Sequence, residues 1–235
     1  MSHKHPAGRV LFVISGHGEL GDTGRKTGWF LSEVSHPLAV LDAAGYDIDF
    51  VSPAGGKAPM DPKSHDMEDS ENRAFLESEH WRARVDNTRR PDQVNASDYD
   101  AVFFAGGHGT MWDFPENQGL AELTAGIHER GGIVGAVCHG PSALVNVKTD
   151  GNYLIKGRKV TGFSNEEEHA VGLDDVVPFL LESKLTERGG DYRAAEKFQA
   201  HVVIDGRLVT GQNPASAKGV GQAMLKLLEK RSAAA

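Results

Sequence analysis

Gly131-Gly132-Ile133-Val134-Gly135-Ala136-Val137-Cys138-His139-Gly140-Pro141-Ser142-Ala143-Leu144-Val145 is the stretch on which the reading of this chain turns. Ile133 to Val137 is a short apolar run behind two glycines, the pattern of a strand covered on both faces in a parallel sheet. The second half reads as a helix. Between them stands Cys138, the only cysteine of the chain, followed at once by His139. A side chain held at the carboxyl end of a strand faces the amides that open the next helix, and their partial positive charge favours a thiolate. A lone cysteine is ordinarily a small buried hydrophobe. The elbow, the flanking glycines and the adjacent imidazole favour the catalytic alternative.

With 235 residues, 39% of them hydrophobic, the chain can bury one substantial core, and one domain over residues 1–235 is expected. No apolar run approaches the length of a membrane span, and Met1 to Gly8 lacks the apolar centre of a secretory signal, so a soluble, cytoplasmic protein is expected. A single cysteine excludes an intramolecular disulfide. The net charge of −8, without a cluster of lysines or arginines, argues against nucleic acid and anionic membrane as partners. A small molecule is the better match.

Arg9 to Ser15 is the first strand, and the loop Gly16 to Gly21 behind it only loosely resembles a dinucleotide fingerprint, since more polar loop rather than a helix follows. Leu31, Val34, Leu38 and Leu41 recur at helical spacing up to a stop at Gly45. Tyr46 to Ser52 is the second strand. Residues 53–98 turn polar and charged, with a helix around Ser70 to Val85, and form a cap insertion. Tyr99 to Ala105 returns to the sheet and runs into Gly106-Gly107-His108-Gly109, where glycines can offer backbone amides to a ligand. Gln118 to Arg130 is the crossover helix to the elbow strand, which closes a β-α-β unit. Tyr153 to Ile155 and Arg158 to Thr161 read as short strands around a turn at Lys156-Gly157. Asn165 caps a helix with three acids in its first turn. Pro178 to Arg188 is a further helix, His201 to Thr210 a hairpin turning on Asp205-Gly206, and Ala215 to about Lys230 the terminal helix, with Ser232 to Ala235 frayed.

The elbow, the Gly-Gly-His loop and the closing Gly211-Gln212-Asn213-Pro214-Ala215-Ser216 together resemble the ThiJ/PfpI superfamily of class I glutamine amidotransferase-like proteins, most nearly its glutathione-independent glyoxalase or heat-shock chaperone-like branch. The resemblance runs from Arg9 to Lys230. It implies an α/β fold: a flavodoxin-like three-layer α/β/α sandwich with a mainly parallel sheet and a small cap. It further implies Cys138 as nucleophile, His139 as its base, Glu33 as the acid contacting the cysteine, and the amides of Gly107 and His139 as oxyanion donors. The acid that orients the histidine falls on Glu168, with Glu167 as the alternative, because one residue turns a helical side chain by about 100°. Members commonly form homodimers, so one is expected here.

The chemistry suits these residue types. A charged Glu33 would oppose a thiolate, so Glu33 is expected to carry a proton, its pKa raised by burial and by the neighbouring anion. The implied activity is cofactor-independent conversion of a small dicarbonyl, methylglyoxal, to D-lactate through a cysteine hemithioacetal. A deglycase or amidase-type hydrolase using the same thiol is one alternative, and a chaperone or redox-sensing stress protein another. His108 and Trp112 follow the glycine loop closely enough to line a pocket. His65, Glu68 and His80 have zinc-compatible chemistry but no tight ligand spacing, so no metal is expected. His3 and His5 read as tail residues, and Trp29 and Trp81 as packing residues.

Overall fold

The computed structural model describes residues 7–234. His3, His5, most of the Met1 to Gly8 stretch and Ala235 lie outside the described residues. In chain order the elements are β1 (Gly8–Val13), α1 (Leu31–Ala43), β2 (Tyr46–Val51), α2 (Ser70–Glu77), α3 (Glu79–Asp86), β3 (Ala101–Phe104), α4 (Thr110–Asp113), α5 (Gln118–Glu129) and β4 (Ile133–Val137). There follow β5 (Lys148–Thr149), β6 (Asn152–Tyr153), β7 (Lys159–Val160), α6 (Asn165–Val171), α7 (Leu181–Glu187), β8 (Asp191–Tyr192), β9 (Val202–Asp205), β10 (Leu208–Gly211) and α8 (Ala217–Ala233).

The central sheet has the order β2-β1-β3-β4-β10-β9, parallel except for β9. Its order reverses between β1 and β3, the flavodoxin-like switch point where the carboxyl ends of neighbouring strands open a crevice. Strands β3 and β4 are buried at every residue and β1 from Val10 onward, as continuous apolar runs covered on both faces should be. Parallel crossovers are right-handed, so α1, which leads leftward from β1 to β2, and α5, which leads rightward from β3 to β4, fall on opposite faces. Helix α8 packs against α1 and completes that layer. This is the α/β/α sandwich expected. Among the described residues no helix is long and apolar enough to cross a membrane.

Several local expectations need correction. The region after Cys138 is a 3₁₀ turn, Gly140–Leu144, rather than a helix. The helix expected over Ser70 to Val85 breaks at Ser78, whose hydroxyl accepts from Trp81 N and caps α3. The strands expected on either side of Lys156-Gly157 do not pair with each other: β6 pairs with β5, and β7 lies parallel to β8. Ser164, not Asn165, caps α6. Helix α7 starts at Leu181, and the terminal helix starts at Ala217 after a 3₁₀ turn at Pro214–Ser216. Ser232 lies inside that helix, its hydroxyl donating to Leu228 O at 3.1 Å. The hairpin forms as expected, with Leu208 opposite Asp205.

The insertion is anchored at the outer sheet edge. Asp49 on β2 accepts from Arg9 at 2.6 Å, Arg84 at 3.1 Å, Arg89 at 2.9 Å and the Tyr99 hydroxyl at 3.0 Å. Burial works to raise the Asp49 pKa, but the Tyr99 hydrogen bond and the Arg89, Arg9 and Arg84 charges outweigh it and hold it below the usual carboxylate range. Its stabilising contribution is therefore present above the unfolded pKa and lost as pH falls through the folded one. The arginines are partly exposed, which screens the network, so Asp49→Asn should cost about 1–2 kcal/mol at pH 7. In chemical denaturation the gap between wild type and variant should close below about pH 4; a gap that stays constant down to pH 3 would contradict this role.

Candidate active site

Cys138 sits at the turn leaving β4 with φ 59, a left-handed backbone that a residue with a Cβ adopts only at a cost. Two hydrogen bonds hold it there. Its amide donates to Gly211 O at 2.9 Å, and its carbonyl accepts from Phe163 N at 2.8 Å. The side chain is only 4% exposed and lies at a cavity of about 210 Å³ that also takes in Gly107, His108 and His139. A larger, open groove of about 360 Å³ beside Tyr153 and Arg188 contains neither a cysteine nor a histidine.

Side chains from three separate segments form a chain of contacts that starts at the sulfur. His139 Nδ1 lies 3.4 Å from Cys138 Sγ, and His139 Nε2 lies 2.6 Å from Glu168 Oε2. The second oxygen of Glu168 meets His108 Nε2 at 2.7 Å. An Nε2–H donated to the carboxylate leaves Nδ1 of a neutral His139 as an acceptor facing the thiol, a tautomer assigned from this hydrogen-bond pattern. Burial works to raise the Glu168 pKa, but the charge His139 carries once its ring is protonated and the hydrogen bonds from both imidazoles prevail and hold it far below the carboxylate range. The His108 pKa is lowered as well, by burial first and then by the neighbouring His139.

The capping box at the start of α6 sorts the two acids. Ser164 Oγ accepts from Glu167 N while Glu167 Oε2 accepts from Ser164 N at 2.9 Å. Glu167 is thereby turned away from His139. Its other oxygen accepts from Phe198 N at 2.7 Å and Asn213 Nδ2 at 2.8 Å. Of the two alternatives it is Glu168 that meets the histidine. The Ser164-x-x-Glu167 pattern was the sequence signal that could have separated them.

Glu33, in the first turn of α1, is fully buried. Its Oε2 accepts from Gly106 N at 2.6 Å, and its Oε1 is buried with no hydrogen-bond partner among the described residues, near enough to Cys138 for the two groups to shift each other's pKa. Burial pushes its pKa to about 8, so at neutral pH it is a carboxylic acid. The thiolate expected at the elbow is not favoured at rest. Burial pushes the Cys138 thiol well up, with the Glu33 charge acting in the same direction when Glu33 ionises. A five-residue 3₁₀ turn supplies too little dipole to reverse this. The amide of His139 does face the sulfur and works to lower it.

Of the two glycine amides expected to be open, Gly106 is taken by Glu33, whereas Gly107 N has no acceptor among the described residues. Gly107 must be glycine: it has φ 102, and a Cβ there would lie 2.1 Å from Gly28 O. His108 borders the cavity. Trp112 does not. Asp113 accepts from Ser15 Oγ at 2.9 Å and Gly16 N at 2.7 Å, which fixes α4 against the first strand's loop, and Trp112 stacks on His17 at 5.3 Å instead.

The insertion at 53–98 supplies only Asp61 and Lys63 to the cavity, so it is a poor cap. The walls are Leu20, Phe30, Phe163, Val171, Leu173 and Phe198, none of which the sequence reading assigned to the site. Among the described residues two groups of side chains have metal-compatible geometry: His108, His139 and Glu168, and outside the cavity His36, Asp69 and Glu71. In the first group the hydrogen bonds run between the members themselves, as does the His36–Asp69 pair in the second, where Glu71 also pairs with Lys218 at 2.7 Å. His65, Glu68 and His80 form no such group among the described residues.

Comparison with known proteins agrees with this architecture. The profile of the DJ-1/PfpI family matches residues 27–227. The crystal structure of Rapid Encystment Protein 24 kDa from Francisella tularensis superimposes with a TM-score of 0.91 at 43% identity, covering 94% of this chain and 99% of that one. Glyoxalase III from Candida albicans gives a TM-score of 0.87 at 30% identity, covering 94% and 97%. The glutathione-independent glyoxalase HSP31 of Saccharomyces cerevisiae is 33% identical over 226 residues, 89% of this chain and 93% of its own length. With a family profile spanning most of the sequence and relatives of this identity aligned almost end to end, this chain belongs to the DJ-1/PfpI family.

Proposed function

We propose that this protein is a glutathione-independent glyoxalase that converts methylglyoxal to D-lactate with Cys138 as nucleophile. The observation that carries the proposal is the relay from the sulfur through His139 Nδ1 and Nε2 to a buried, ionised Glu168, at a cavity of small volume. The names of the Candida and Saccharomyces relatives support the same reaction. The limited space favours a free dicarbonyl over an adduct carried by a folded protein, which is the reason to rank isomerisation above deglycation.

The resting thiol is protonated, so nucleophile formation is coupled to attack. As sulfur bonds to the aldehyde carbon, its proton passes to His139 Nδ1, and Glu168 stabilises the resulting imidazolium. The Gly107 amide, with that of His139, receives the developing oxyanion, which on protonation gives the hemithioacetal. His139 then removes the hydrogen of that carbon, giving an enediol, and a proton returned to the neighbouring carbon leaves the thioester of a 2-hydroxy acid. Hydrolysis releases the acid and restores the thiol. One carbon is oxidised by two electrons while its neighbour is reduced by two, and one water is added, so the balance needs no external electron acceptor. Neutral Glu33 serves as a hydrogen-bond partner to sulfur without opposing its charge. A homodimer is the working assembly inferred from the family resemblance.

Cys138→Ala should reduce D-lactate formation from methylglyoxal, without glutathione, to background; full activity in that variant would remove the mechanism. Because Glu33 ionises near pH 8 and its charge opposes the thiolate, kcat/KM should fall as pH rises through that value. Glu33→Gln keeps a neutral donor there and should flatten the alkaline fall. An unchanged profile in the variant would assign that limb to another group.

A further inference from the structure

The walls of the cavity are built for more than a methyl group. Its volume of about 210 Å³ is the share of roughly seven waters at ~30 Å³ each, whereas methylglyoxal places its two carbonyl groups at the reacting end and only a methyl beyond them. Among the described residues three large apolar side chains are exposed: Val171 at 39%, Phe198 at 46% and Ile204 at 51%. The first two border this cavity, and Ile204 lies on the outer strand β9. Apolar surface left in water at a pocket wall is surface that a ligand can cover.

Phe198 is also held there against its own preference. Its φ of 63 makes it one of three described residues other than glycine in the left-handed region, Cys138 being another. A bulky side chain is strained in that conformation, and the strain persists only where surrounding structure enforces it. The enforcing contact is the 2.7 Å bond from Phe198 N to Glu167 Oε1, a fully buried carboxylate also anchored by Ser164 N and Asn213 Nδ2. Glu167 and Glu168 are consecutive on α6. One helical turn thus sets both the acid behind His139 and an aromatic wall of the cavity that holds the sulfur.

We propose that Phe198, Val171 and Leu173 form a subsite for the substituent on the ketone carbon, and that the preferred substrates are 2-oxoaldehydes bearing an aryl or branched alkyl group rather than methyl. This deepens the glyoxalase assignment and rests on it. Contact with a non-reacting substituent is made alike in ground and transition states, so its signature is a lower KM with little change in kcat, whereas a difference in intrinsic carbonyl reactivity would appear in kcat.

The test compares phenylglyoxal with methylglyoxal in the wild-type protein, Phe198→Asn and Val171→Ala, with mandelate and lactate as the measured products. Asn tolerates the left-handed backbone while removing the ring, and Val171→Ala trims a partly exposed wall residue by two methyl groups. The expected result is a wild-type KM for phenylglyoxal at least about tenfold below that for methylglyoxal, with a ratio that shrinks about fivefold in Phe198→Asn and to a lesser degree in Val171→Ala. Wild-type KM values within twofold of each other, or a ratio that neither variant moves, would overturn the subsite and leave the glyoxalase assignment intact. Absence of both hydroxy acids from the wild-type reaction would overturn the assignment and the subsite together.

Discussion

Everything at the site follows from the reversed backbone at Cys138. A left-handed residue at the end of a central parallel strand sends the chain back on itself, and the Gly211 carbonyl and Phe163 amide fix it from two sides. Both partners come from segments far along the chain. The sulfur is therefore positioned by the completed sheet, not by its own loop, and the side chain of the next residue necessarily lies beside it. Base and nucleophile are neighbours in sequence because the bend makes them neighbours in space.

Burial governs the charges around that sulfur. Removing Glu33 and Cys138 from water disfavours an anion on either, so the pair rests with both protons in place. Glu168 is buried almost as deeply but shares its two oxygens between two imidazoles, and the balance there tips to the ionised form. Two carboxyls in one site thus take opposite protonation states, one neutral beside sulfur and one charged behind the histidine, through their hydrogen-bond partners.

The sheet was legible in the sequence because fully buried parallel strands are continuous apolar runs, and Val10 to Val13, Ala101 to Phe104 and Ile133 to Val137 stand out as such. The elbow was legible because Cys138 stands between such a run and a glycine-proline turn, with an imidazole as its next neighbour. What periodicity could not carry was long-range. The pairing of β7 with β8 joins residues about thirty apart, and the break at Ser78 depends on a side-chain cap inside an otherwise helical pattern. Phe198 gave no sign of its place, since its position depends on a buried glutamate in another segment. Trp112 misled for a related reason: nearness in sequence to Gly107 put it near the site, but Asp113 ties its helix elsewhere.

The short β7–β8 ladder, apart from the main sheet, brackets a stretch that carries Phe163, Glu168, Val171 and Leu173. Thiol and imidazole belong to the sheet, while the walls beyond them and the acid that steadies the ring hang outside it. The outlying part thus carries a wall side chain and one catalytic partner on the same short helix. Replacing Val171 or Leu173 there can retune which molecules are admitted, whereas replacing Glu168 reaches the imidazole beside the sulfur.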